Sequence, residues 1–338
     1  MGKIKIGILG CGRVAGCHFE AIRRNGRRME LAAVADADPK NLARAVEMTG
    51  AAGYPSLSRM LAAERLDLAA ICTPNWLHYR NAREVIASGA SVIVEKPLSL
   101  AYAEGEKLMK LAREKRARVF LIQQNRFNPT VRMARRAIDA GAFGKIYMMS
   151  ANVFWNRGEE YYKKSPWHGS KKFDGGAFVT QGSHYTDIMD WFAGAEPARA
   201  YAAGATLARK IETEDTGAAV IEWKNGTIGT IGITVLAYPG NYEGSLTILG
   251  EKGLARIGGT ALNKITDWKF ARKVPGFSDV SYETESVYGF GHAEYYRAVA
   301  DTMLKGKEVL VTEREALQSL RLLTGIVKSM ETGRPVRF

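Results

Sequence analysis

KIKIGILGCGRVAG, residues 3–16, sets how the rest of the chain is read. Ile4, Ile6, Ile8 and Leu9 make a short, strongly apolar run, as expected of a strand buried on both faces. The run ends in Gly10-x-Gly12-x-x-Ala15, with Gly16 next, and "AGCHFEAIRRN" then carries apolar residues at helical spacing. Glycines at a strand-to-helix turn allow a tight bend and let a pyrophosphate approach the backbone, where the helix N-terminal N–H groups receive it. The next strand-like segment, "MELAAVAD", closes on Asp36. That is about 20 residues beyond the glycines, where an acid bonds the adenosine ribose. A carboxylate there repels a 2′-phosphate, and Ala37 and Asp38 follow with no arginine, so NAD is the expected cofactor. Gly10, Gly12, Arg13, Val14 and Asp36 are the first cofactor-binding candidates.

Working outward, strand-like and helix-like segments alternate as far as "RVFLIQQN". That alternation predicts an α/β Rossmann dinucleotide-binding domain over residues 1–125, with a parallel sheet covered on both faces. Beyond it the texture changes. Two helical patterns, "NPTVRMARRAIDAGAFG" and "GGAFVTQGSHYTDIMDWFAG", flank a polar, aromatic segment. Five closely spaced strands follow between residues 198 and 270, joined by turns such as "KNGT" and "GEKG". Two helices close the chain. The second domain, 126–338, is therefore expected to be α+β with an open, mostly antiparallel sheet, serving substrate binding and oligomerisation.

Bulk properties exclude several classes. The chain has 338 residues, 46% hydrophobic and 25% charged, and no apolar run near the ~20 residues that span a bilayer. Its N-terminus reads as a first strand and not as a secretory signal. Cys11, Cys17 and Cys72 form no C-x-x-C, so reduced thiols in the cytoplasm are expected, and no metal. The net charge of +13 comes from cations dispersed among acids, without the aromatic-interleaved basic run of a nucleic-acid protein. It suits solubility or an anionic small molecule.

"SVIVEKPLSL", residues 91–100, places Glu95, Lys96 and Pro97 at the end of another parallel strand, the edge where such sheets bind ligands. "TPNWLH" ends the strand before it, and "GG…GSHYTD" lies in the second half. In this order the motifs resemble the glucose-fructose oxidoreductase / inositol dehydrogenase / MocA (Gfo/Idh/MocA) family across essentially the whole chain. The resemblance implies that Lys96 is catalytic and that Glu95 helps place the cofactor. It also puts Thr73, Asn75 and His78 against the cofactor. His184 is the second proton-handling candidate. The family often carries aspartate four positions earlier, and this chain has Thr180. Asp187, three positions after the histidine, is placed to orient it.

The segment "VFWNRGEEYYKKSPWHGSKKFDGG" is rich in aromatic rings and cations, which suit sugars and anions. With "TQGSHYTD" and "NYEGSLTILGEKGLARIGGTALNKI", it resembles the UDP-N-acetylglucosaminuronate 3-dehydrogenase branch of the family. That branch implies oxidation of the C3 hydroxyl of UDP-2-acetamido-2-deoxy-D-glucuronate, a step of bacterial surface-polysaccharide synthesis. Arg157 is the candidate for an anionic substrate group. Asn125, Thr180 and Gln181 are pocket candidates beside Lys96 and His184, and Trp167 is assigned to the cofactor. Some members reoxidise NADH with 2-oxoglutarate, and a homodimer or homotetramer is expected. The alternatives are an inositol or simple-sugar dehydrogenase, or a non-catalytic NAD-binding regulator.

Overall fold

Six short segments of the first half pair into a single parallel sheet. Ile6, Ile8, Val34, Ile71 and Val92 have no solvent exposure at all, as the unbroken apolar runs require of strands covered on both faces. The computed structural model describes residues 2–284, 291–308 and 311–338. It separates into two units, one made of the chain up to Gln123 together with His292–Leu320, the other of Gln124–Gly291 with Arg321–Phe338.

In the first unit, strands and helices follow one another as β1 (Ile4–Leu9), α1 (Ala15–Arg24), β2 (Met29–Ala35), α2 (Pro39–Thr49), β3 (Ala52–Tyr54), α3 (Leu57–Ala63), β4 (Leu68–Ile71), α4 (His78–Ala87), β5 (Ser91–Val94), α5 (Tyr102–Lys115) and β6 (Val119–Leu121). The sheet order is β3-β2-β1-β4-β5-β6, and every pairing is parallel. The chain runs outward from β1 in one direction and then returns to build from β4 in the other. The order therefore reverses between β1 and β4, which opens a crevice at their carboxyl ends.

The second unit holds α6 (Pro129–Asp139), β7 (Ile146–Phe154), α7 (Glu159–Lys163), α8 (Ser183–Ala193), β8 (Pro197–Ala205), β9 (Thr216–Trp223), β10 (Ile228–Thr234), β11 (Glu243–Gly250), β12 (Gly253–Gly258) and β13 (Lys264–Phe270). α9 (Gly291–Lys305), α10 (Glu313–Thr332) and β14 (Val336–Arg337) complete the chain. From His292 to Leu320 the chain returns to the first unit. The second sheet has the order β13-β12-β11-β7-β10-β9-β8-β14 and is antiparallel except where β7 runs parallel to β10. Eight strands stand where the sequence suggests five. β7 is not among the five because it pairs with strands about eighty to a hundred residues later, which local turn chemistry cannot reveal. One face buries Met149, Ala151, Val153, Ile221 and Ile231 against Ile188, Met189 and Phe192 of α8. The other face leaves Tyr201, Val220 and Ile228 nearly half exposed.

Candidate active site

The first unit gathers its candidates along the carboxyl edge of the parallel sheet. Gly10 has φ +93°, and a Cβ there would stand 2.6 Å from the carbonyl oxygen of Cys72. This glycine is where the turn after β1 passes against the turn after β4. At Gly12 a Cβ would meet nothing within 4 Å among the described residues, so its open side admits a ligand. α1 begins at Ala15 behind Val14, with no side-chain cap among the described residues and no acid in its first turn. An un-neutralised helix N-terminus beside an open glycine fits a pyrophosphate. Arg13, between them, is exposed. Asp36 follows β2; its Oδ2 accepts the Cys11 N–H at 2.6 Å and its Oδ1 the Asp38 N–H at 2.8 Å. The acid is therefore fixed behind the glycine loop, ready for a ribose. Arg44 of α2 also reaches this loop and donates to the Cys11 carbonyl at 3.0 Å, a contact the linear sequence hides. Burial, with Asp36 adding to it, pushes the Cys11 thiol up to about 12, so it stays protonated.

The turns after β4 and β5 are tied together by His78, the first residue of α4. Its Nδ1 lies 2.7 Å from the Pro97 carbonyl oxygen and its Nε2 2.8 Å from that of Thr73. Asn81 donates to the Thr73 hydroxyl at 3.1 Å, and Asn75 is buried in the short helical turn between. Glu95 is buried and Lys96 half-buried at the end of β5, and the Lys96–Pro97 peptide is cis. Burial alone would raise the Glu95 carboxyl, but the hydrogen bond from His18 and the His292 imidazole 3.6 Å away outweigh it and hold the group well below its ordinary value. His18, Glu95 and His292 lie with their ligand atoms within 4.8 Å of one another, although the sequence shows no metal-ligand spacing. Neither histidine lies in a recognisable sequence motif. The available signal was His18 itself, a polar residue on the buried face formed by Ala15, Ala21 and Ile22 of α1.

In the second unit the candidates fall into two groups. Thr180, Gln181 and His184 share one helical stretch, in which Phe178–Gly182 is wound as a π-helix before α8. Such a widened turn recurs at functional sites. The Thr180 hydroxyl donates to the Gly176 carbonyl at 2.9 Å and contacts Gln181 Oε1. Gln181 and His184 are buried, and so is Asn125. Asp187 does not serve His184 as the spacing suggests. Both its oxygens take a two-pronged bond from Arg126, at 2.8 Å each, and that guanidinium also lies over the Trp191 ring.

Arg157 heads the second group. It lies over the rings of Trp155 and Tyr161 and donates to Asn241 Oδ1 at 3.1 Å. Tyr161 stacks on His168, and Trp167 packs edge-on to the same imidazole. The result is a ladder of aromatic faces with a cation at one end, a surface suited to sugars and anions. Among the described residues no helix is long and apolar enough to cross a membrane.

Two family descriptions cover nearly the whole chain: "Oxidoreductase family, NAD-binding Rossmann fold" over residues 4–123, and "Oxidoreductase family, C-terminal alpha/beta domain" over residues 135–338. The chain belongs to the Gfo/Idh/MocA oxidoreductase family. It is an NAD-dependent oxidoreductase. Among solved structures it is similar to the WlbA dehydrogenase of Bordetella pertussis in complex with NADH and UDP-GlcNAcA, at 44% identity and TM-score 0.95, covering 99% of this chain and 98% of that one. The WlbA dehydrogenase of Chromobacterium violaceum, solved with the same two ligands, is 41% identical with TM-score 0.93, covering 99% and 96%. The inositol 2-dehydrogenase of Rhizobium meliloti is 27% identical over 258 residues, 74% of each chain.

Proposed function

We propose that this enzyme oxidises the C3 hydroxyl of UDP-2-acetamido-2-deoxy-D-glucuronate to a ketone, in the cytoplasmic stages of surface-polysaccharide synthesis. The observation that carries the reading is the 44% identity, over 99% of this chain, with a dehydrogenase solved with NADH and UDP-GlcNAcA. Bound NAD supplies the hydride acceptor. The chain's own part is the proton. In this reading Lys96 accepts it from the C3 hydroxyl, with His184 assisting, while hydride leaves the same carbon. One C–H and one O–H bond break, one C=O forms, and the two electrons leave with the hydride. Asn125, Thr180 and Gln181 contact the sugar, and Arg157 takes an anionic group of it. Trp167 and His78 serve the cofactor, the latter through the two turns it joins. The open sheet face carrying Tyr201, Val220 and Ile228 is assigned to a second copy of this chain, because exposed apolar side chains are costly in water.

The test is to incubate the protein with NAD and UDP-N-acetylglucosaminuronate, with and without 2-oxoglutarate. Absorbance near ~340 nm follows reduced nicotinamide, and mass spectrometry follows loss of two hydrogens from the sugar. A 3-keto nucleotide sugar is expected, and a Lys96→Met variant should lose about 10²- to 10⁴-fold in rate while still binding NAD. Turnover of free inositol with none of the nucleotide sugar would overturn this reading. It would favour the second one, which the 27% identical inositol 2-dehydrogenase supports.

A further inference from the structure

Three buried polar side chains of the first unit have no part in the chemistry above: His18, His292 and Tyr296. His18 is wholly buried on α1, and Tyr296 is wholly buried on α9. Nδ1 of His18 lies 2.7 Å from the Tyr296 hydroxyl, and its Nε2 lies 2.9 Å from Glu95 Oε1. Nε2 of His292 stands 3.6 Å from the same carboxylate oxygen. The other oxygen, Oε2, accepts the backbone N–H of Lys96 at 3.2 Å. An ionised carboxylate only accepts hydrogen bonds, so Nε2 of His18 must carry the proton. Burial favours the neutral ring, which leaves Nδ1 an acceptor for the Tyr296 O–H. Proton direction is then fixed along the whole line, from Tyr296 through His18 to Glu95. His292 and Tyr296 are four apart on α9 and therefore share one face.

We propose that Tyr296, His18 and Glu95, with His292 beside the carboxylate, form a fixed hydrogen-bond relay that sets the pose of Lys96, so that His18 and His292 are positioning residues of the oxidation. The proposal rests on the reading of Lys96 as the base. It also gives α9 a reason to return to the first unit. The turn is held from both sides, by Glu95 on the Lys96 N–H and by His78 on the Pro97 carbonyl. A cation bound by the same three side chains is the rival occupant. The 2.9 Å contact speaks against it, because two ligands at ~2.0–2.1 Å from a tetrahedral ion sit about 3.3 Å apart.

The test uses the full chain labelled with ¹⁵N, which has five histidines to assign. In the NAD-free protein, His18 should show the neutral Nε2–H form at about pH 7, with any titration displaced below its ordinary 6.5. His18→Leu should shift the Lys96 backbone amide resonance, and His18→Gln, which keeps a donor toward Glu95, should largely restore it. In steady-state kinetics His18→Leu should lower kcat about 10- to 100-fold with KM within about threefold. Tyr296→Phe, a milder change, should keep the Nε2–H form, because Glu95 still requires that donor, and should shift the His18 Nδ1 resonance. An imidazole that titrates near its ordinary 6.5, a Lys96 amide unmoved in His18→Leu, or one zinc retained per chain would each overturn the relay. If the wild type turns over no nucleotide sugar, the proposed substrate falls, while the imidazole and amide resonances still decide the relay.

Discussion

Glu214→Gln should make this protein more stable at about pH 8 and no more stable at about pH 5. Glu214 is buried just before β9, and its Oε1 accepts the Phe178 N–H at 2.8 Å, at the start of the helical stretch that carries His184. Gly176, with φ +95°, passes so close that any Cβ there would collide with the carboxyl group. Burial raises the Glu214 carboxyl from 4.5 to about 7, backbone N–H groups oppose this, and Asp174 adds to it. The folded chain therefore holds this proton more tightly than the unfolded chain. That contribution is complete below pH about 4.5 and is lost as pH rises through about 7. At about 1.36 kcal/mol per pH unit, the gap corresponds to about 3 kcal/mol of stability removed by the time the group ionises. Glutamine keeps the acceptor for Phe178 and has no proton to lose. It does forgo the favourable charge at a helix N-terminus, worth ~0.3–1 kcal/mol. The expected net gain at about pH 8 is roughly 2 kcal/mol. Urea denaturation across the range should show the wild-type stability falling between about pH 5 and 8, and a flatter curve for the variant. Parallel curves for the two proteins would refute the reasoning.

Two further outcomes separate folding from binding. Gly10→Ala must hold alanine at positive φ, costing ~1–2 kcal/mol before the clash with the Cys72 carbonyl is counted, so it should lower stability and NAD affinity together. Gly12→Ala meets no neighbour among the described residues and should stay within ~0.5 kcal/mol of wild type by urea denaturation, yet lose at least about tenfold in NAD affinity by calorimetry. Arg126→Met leaves the Asp187 carboxylate, 1% exposed, without its cation and should cost about 3–5 kcal/mol. The double variant Arg126→Met/Asp187→Leu should recover most of that loss in the same assay, and a double variant as weak as the single one would show that the site needs the charges themselves.

What was legible in the sequence was local. The glycine turn, the acid at the end of β2 and the Glu95–Lys96–Pro97 strand end each lie within a few residues of the backbone feature that gives them meaning. The parallel sheet follows because alternating strands and helices leave a chain few other ways to bury apolar runs. What stayed hidden depends on contacts that no period or spacing encodes. His18 meets Tyr296 across 278 residues, and Arg126 meets Asp187 across 61. The misreading of Asp187 is instructive. Three residues along a helix is a fair reason to pair it with His184, but a buried carboxylate goes to the strongest donor within reach. A two-pronged guanidinium outbids an imidazole for that place. The same logic applies to Glu95, which the motif assigns to the cofactor without naming its donors. Its charge lies in the interior, and burying a carboxylate demands donors. A sequence shows that the demand exists, at a strand end where an acid follows four apolar or small residues. It does not show which of five histidines will answer it. Here the answer is one histidine from the first helix and one from a helix near the far end of the chain, so the integrity of the Lys96 turn depends on a segment with no motif of its own.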